Sequence, residues 1–142
     1  MSEERRRRDR QVIEEFRTNG GKLTGAFAAI PALLLHHTGA KSGAAHVTPL
    51  AYLADGDHWV VFAANGGRPN HPGWYYNLSA NPSTVIEVGG VTQRVIARLT
   101  SGAEREALSA RFREQSDYFG GFEKATDRQI PVIVLERDAR HP

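Results

Sequence analysis

Cysteine is absent from all 142 residues. That removes disulfide frameworks, iron–sulfur clusters, cysteine zinc sites and thiol chemistry together. Long apolar runs are missing too. The longest, Ala26 to Leu35, is interrupted by Pro31 and falls well short of the roughly 20 residues a membrane-crossing helix needs. Neither sign of charge dominates: 18 Lys and Arg stand against 16 Asp and Glu, a net +2. Hydrophobic residues make up 40% and charged residues 24%, the proportions of a globular fold rather than a disordered chain. The first ten residues lead into no apolar signal core. The expectation is a single cytoplasmic domain over residues 1–142, with a basic segment and helix in residues 1–20.

Familiar catalytic signatures are equally scarce. There is no Gly-x-Ser-x-Gly elbow, no Gly-x-Gly-x-x-Gly, and no phosphate loop, because Ala40 precedes Lys41. Six histidines invite a metal site. His36 and His37 are neighbours on an expected strand, so they point to opposite faces, and His46 meets only one of them. No metal is expected. Arg5 to Arg8 concentrate charge near the N-terminus. Such a run reads as a solvated tail or, functionally, as a grip on acidic lipid, nucleic acid or an acidic cofactor tail. It lacks the interleaved aromatics of a nucleic-acid surface, and no nucleic-acid partner is expected.

Hydrophobic patterning gives the order α-βββ-α-ββ-α-β. A short helix over 9–18 ends at Asn19-Gly20-Gly21. Strands follow at 32–38, at 46–54 with Pro49 marking an edge or bulge, and at 58–64 after the Asp55-Gly56-Asp57 turn. Pro72 opens a helix over 71–80. Gly89-Gly90 joins strands 84–88 and 91–99. Ser101-x-x-Glu104 reads as a capping box for a helix to about Gln115, and 131–135 is a last strand. Hairpins predominate and βαβ alternation is missing. That argues for a mainly β protein with peripheral helices, an antiparallel barrel.

Two loops stand out. Thr38-Gly39-Ala40-Lys41-Ser42-Gly43 offers small residues, hydroxyls and a cation, which suits either a plain turn or a phosphate. Asn65-Gly66-Gly67-Arg68-Pro69-Asn70-His71-Pro72 follows a buried strand and feeds a helix N-terminus. Its glycines let a ligand approach the backbone. In the helix after it, Trp74 and Tyr75 either plug the barrel or, with Asn77, flank a flat heteroaromatic ligand.

At these residues the chain resembles the family of deazaflavin (coenzyme F-420)-dependent nitroreductases and quinone reductases. The resemblance runs through Val12-Ile13-Glu14-Glu15-Phe16-Arg17-x-Asn19-Gly20-Gly21-Lys22, Thr38-Gly39-x-Lys41-Ser42-Gly43 and Thr48-Pro49-Leu50-x-Tyr52. It continues through Asn65-Gly66-Gly67-x-Pro69-x-His71-Pro72-x-Trp74-Tyr75-x-Asn77-Leu78, Asn81-Pro82 and Thr126-Asp127-Arg128-x-Ile130-Pro131-Val132. It implies a split β-barrel of the flavin-reductase or FMN-binding type. It further implies an oxidoreductase that takes hydride from reduced coenzyme F-420, with FMN the second choice, and passes it to a quinone, enone or nitro compound. Lys41, Ser42 and Gly43 would then sit at the phosphate. Ala63, Ala64, Asn65 and Gly66 would border the ring, Trp74 and Asn77 would flank it, and Tyr52 would line the groove. The cofactor carries the chemistry, which accounts for the missing triad.

Departures from the family pattern lie at Ala40, His46 and Asn70, where relatives often carry cations. Arg68 or Arg5 to Arg8 are the candidates to compensate, with His46 retained at the site. Phe119 and Phe122 fall where nitroreducing members carry substrate-facing tyrosines, leaving Tyr118, His37 or water to supply a proton. The competing reading is a non-catalytic barrel that carries a flavin, a deazaflavin or a lipid. Monomer and homodimer are both open, and a quinone acceptor allows a peripheral membrane contact.

Overall fold

The computed structural model describes residues 3–23, 31–115 and 117–138, with the backbone alone at Asp117 and Tyr118. The first helix, α1 (Glu3–Thr18), begins well before the expected 9–18 and takes in the whole arginine run. The run is thus helical and not a frayed tail, while Arg6, Arg7 and Arg8 remain exposed to solvent. Arginine is a good helix former, no Gly or Pro interrupts the segment, and Glu3 and Glu4 in the first turn with Arg17 in the last complement the helix dipole.

Seven strands follow: β1 (Ala32–Thr38), β2 (Ala45–Ala51), β3 (Leu53–Asp55), β4 (His58–Phe62), β5 (Ser83–Val88), β6 (Val91–Leu99) and β7 (Val132–Arg137). Helix α2 (Gly73–Ala80) lies between β4 and β5, while α3 (Gly102–Gln115) and α4 (Asp117–Ala125) lie between β6 and β7. The strands form one sheet in the order β2-β1-β5-β6-β7-β4-β3, and every pairing in it is antiparallel. β2 and β3 stand at opposite ends of this order, yet only Tyr52 separates them in the chain. A flat seven-stranded sheet spans far more than one residue can bridge. The sheet therefore curls until its two ends meet, which is the split barrel.

That joint corrects the expected single strand over 46–54. Its first half pairs with β1 and its second with β4, so the chain changes sides at Tyr52. Pro49, which has no N–H to give, sits on the end strand β2. Val88 faces Val91 across the Gly89-Gly90 turn. Both glycines have positive φ, 57° and 80°, as a two-residue primed turn requires. Both carboxylate oxygens of Glu104, the acid of the expected capping box, accept from Arg98, at 2.6 and 3.0 Å.

Two cores result from strand alternation. Leu33, Leu35, Val61, Ile86, Val95, Ile133 and Leu135 point into the barrel, where Trp74 and Leu78 of α2 close one end. Val60, Val132 and Val134 point outward beneath Leu108, Phe112 and Phe119 of α3 and α4. β4 and β7 are thus apolar on both faces, which explains their unbroken hydrophobic runs. No helix among the described residues is long and apolar enough to cross a membrane.

Candidate functional site

At the end of β4 the chain turns through Ala63 and Ala64 into a short 3-10 turn, Asn65–Gly67. Asn65 takes φ +50°, which asparagine tolerates better than most residues, and its Nδ2 donates to the Asn70 carbonyl at 3.0 Å. Gly67, at φ +79°, packs against α4: a Cβ there would lie 2.7 Å from the Ala125 Cβ. The loop glycine thus serves helix packing and not ligand approach, which corrects the expectation for that residue. α2 begins at Gly73 and not at His71, because Pro72 holds an extended backbone as its N-cap and disfavours helix in the residue before it.

Between this loop, α2 and β2 lies a crevice of about 680 Å3, well within the roughly 300–1,000 Å3 of small-molecule sites. Ala64, Asn65, Trp74, Asn77, His37 and His46 line it, with Phe62 and Phe122 beyond them. The N-terminal half of α1 adds Arg5, Arg6 and Asp9. Burial raises the Asp9 carboxyl above the usual carboxylate range, against the pull of Arg5 and Arg8. Trp74 is both things the sequence allowed, a barrel plug 7% exposed and a crevice wall. Tyr75 lies instead on a separate hollow with Leu99 and Ile133.

One hydrogen-bond chain sets the crevice's polar wall. The Ala40 amide donates to Asn77 Oδ1 at 2.9 Å, so Asn77 presents its Nδ2 to His37 Nδ1 at 3.0 Å. His37 Nδ1 must then accept, and its Nε2–H donates to Thr48 Oγ1 at 2.9 Å. Burial first, then the neighbouring His46 and His36, lowers its pKa to about 4. His46 stacks on it with ring centroids 5.2 Å apart. His37 is therefore held neutral, with both ring nitrogens hydrogen-bonded within the protein.

Other expected residues lie elsewhere. Lys41, Ser42 and Gly43 form the exposed β1–β2 turn outside the crevice lining. Ser42 Oγ accepts from the Ala44 amide at 3.1 Å. Tyr52 is the β2–β3 joint and packs against the barrel core, its carbonyl accepting from Gln115 at 3.0 Å. Ala63 is fully buried and does not border the crevice. Arg68 joins Arg5 and Arg8 around a different hollow of about 450 Å3. Phe119 is fully buried in the outer core, so of the two phenylalanines only Phe122 reaches the crevice. The side chain of Tyr118 lies outside the described residues.

Arg128 was given no role from sequence. Its Nη2 donates to the carbonyls of Ala63 and Ala64 at 3.0 and 2.8 Å. Its Nε donates to the Arg68 carbonyl at 3.1 Å, and its Nη1 to His71 Nδ1 at 2.9 Å. One guanidinium thus staples both ends of the glycine loop. No local pattern marks it, since every partner lies 57 to 65 residues away.

A sequence profile described as F-420H(2)-dependent quinone reductase matches residues 8–137. An F-420H(2)-dependent quinone reductase of Mycobacterium tuberculosis is 39% identical over 129 residues, spanning 83% of this chain and 79% of that one. Among solved structures, an F-420-H2 dependent reductase (FDR-A) is 34% identical with a TM-score of 0.69, over 75% of this chain and 94% of that one. A chain described as a domain-swapped dimer is 31% identical with a TM-score of 0.70, over 92% and 96%.

Proposed function

The chain belongs to the F-420H(2)-dependent quinone reductase family, and from that premise we propose that the crevice beneath α1 seats the tricyclic ring of the reduced deazaflavin and presents it to a quinone. The protein is an oxidoreductase of that cofactor. The observation that carries the assignment is the crevice itself, with the buried Trp74 as one wall, the Ala64–Asn65 backbone as another and arginines at its mouth. A flat, partly apolar ring with an anionic extension fits that donor set. A catalytic triad is not required, since the bound coenzyme would supply the hydride.

The residues bind and orient. Trp74 and Phe62 exclude water from the ring face, and the Ala64–Asn65 backbone, locked by Arg128, fixes its edge. Asn77 ties α2 to the β1–β2 turn, holding the gap between these walls constant. Lys41 offers charge to the phosphate from that turn. The acceptor's proton comes from the Tyr118 hydroxyl or from water, and His37 positions Asn77. Enones and nitro compounds are acceptors on the same terms, and the reaction belongs to the cytoplasm.

Titration of the purified chain with oxidised coenzyme, followed by deazaflavin fluorescence, tests the reading. Saturable binding together with quinone-dependent oxidation of the reduced coenzyme is the expected result. No fluorescence change up to high micromolar coenzyme overturns it.

A further inference from the structure

Helix α4 carries Gly120 and Gly121 side by side in the middle of its nine residues. Glycine is the weakest helix former after proline, because its unfolded backbone has the most freedom to lose. Two in succession at a helix centre call for a reason, and packing does not supply one. Neither takes a positive φ, and a Cβ at either would meet nothing within 4 Å. Gly67, facing the same helix, is the contrast: there a Cβ would meet the Ala125 Cβ at 2.7 Å. Alanine would fit at both α4 positions and would strengthen the helix. The centre of α4 is therefore built soft.

The pair also divides α4 between two anchors. Before it, Phe119 is fully buried in the outer core, its ring centroid 4.7 Å from that of Phe62 and 5.4 Å from that of Phe112. After it, Phe122 and Ala125 lie against Gly67 of the crevice loop, and Glu123 accepts from Arg113 of α3 at 2.7 and 3.1 Å. Arg113 is 44% exposed, and an ion pair so open to water holds a segment only weakly. Phe122 is half-buried and lines the crevice. A small change of φ and ψ at the two glycines shifts Phe122 against the crevice while Phe119 stays in its core.

We propose that Gly120 and Gly121 form a hinge on which the C-terminal half of α4 carries Phe122 aside, and that this motion sets the size of hydride acceptor the crevice admits. The assignment rests on the function proposed above. Neither glycine borders the crevice, so methyl groups added there stiffen the helix without filling the site.

The test compares the native chain with G120A/G121A in three measurements: thermal unfolding, amide hydrogen exchange in α4, and coenzyme-dependent reduction of two quinones. One quinone is small, unsubstituted benzoquinone, and the other is large, a naphthoquinone bearing a prenyl chain. In the native chain the amides of α4 should exchange faster than those of α3. The double variant should melt about 3–8 °C higher, as two better helix formers imply, with exchange in α4 slowed. Its kcat/KM for the large quinone should fall about tenfold, because the stiffened helix opens less often. The small quinone and the coenzyme affinity should change less than twofold. F122A added to the double variant removes the gate and should restore reduction of the large quinone. A lower melting temperature, an equal loss for both quinones, an unchanged rate with the large one, or no rescue by F122A overturns the proposal. A native chain that binds no coenzyme or reduces neither quinone marks instead the failure of the assigned function. Hydrogen exchange then still judges the hinge, which is refuted if native α4 exchanges no faster than α3.

Discussion

At the scale of single residues, His37 and Arg128 make the sharpest predictions. The folded pKa of His37, about 4, lies below its ordinary 6.5. Between those values the unfolded chain binds the extra proton, so His37 contributes stability that is complete above about 6.5 and lost as pH falls toward 4. Urea midpoints across that range should decline, and H37Q should flatten that part of the decline. A ring titrating by NMR at or above its ordinary value would refute the neutral, doubly bonded imidazole. R128K keeps a charge but loses the fork that reaches two carbonyls and His71 at once. Leaving the Ala63 and Ala64 carbonyls without a donor should cost about 2–4 kcal/mol. Coenzyme affinity should weaken severalfold, measured on protein shown to be folded. An unchanged dissociation constant would mean that the loop holds its shape without the staple. These two residues also mark how much of the site was legible. Asn65, Trp74 and Asn77 were found because their chemistry sits in one short segment, a turn feeding a helix. The tautomer of His37 and the reach of Arg128 depend on partners from other elements, and local pattern carries no trace of them.

Strands were easier to read than helix ends because alternation repeats along each strand, whereas a helix end is set by a few local contacts. β1 and β6 match their expected bounds, β1 as an apolar run between Pro31 and Gly39 and β6 as an alternating run that opens after Gly90. α1 was underestimated because its apolar stripe, Val12, Ile13 and Phe16, lies only in its C-terminal half, and the arginine run before it carries no apolar period. The break at Tyr52 was invisible because it answers to strand pairing at both ends of the sheet. α1 supplies the arginines at the mouth of the crevice, and its anchorage can be tested directly. Hydrogen bonding from Arg17, then from His36, lowers the Glu87 pKa. The sign follows: the pair's contribution is present above the ordinary carboxylate pKa and fades as pH drops through the lowered one. E87Q should cost only about 0.5–1 kcal/mol, as Arg17 is half exposed. G21A should cost more, because φ is +94° and the new methyl meets the Gly89 backbone. Limited proteolysis within α1 should accelerate more in G21A than in E87Q. The reverse order would show that charge, and not backbone packing, holds the helix.

For the whole molecule, the curl of the sheet separates two cores with different duties. The barrel core ends in Trp74, so its packing and the crevice wall are one structure. The outer core lies under α3 and α4 and reaches the crevice only at Ala64, Phe62 and Phe122. Stability and binding should therefore separate by core. L108A removes a side chain that is 5% exposed in the outer core and should cost about 2–5 kcal/mol. Coenzyme affinity, corrected for the folded fraction, should stay within twofold. W74A should lose about 3–5 kcal/mol and, with the ring's wall gone, most of the affinity as well. Denaturant unfolding and fluorescence titration on the same samples give both numbers. If L108A weakened binding as much as W74A does, the two cores would be a single mechanical unit. The crevice would then depend on the outer helices as well as on the barrel, and the rigidity credited to Arg128 and Asn77 would have to be shared with α3 and α4.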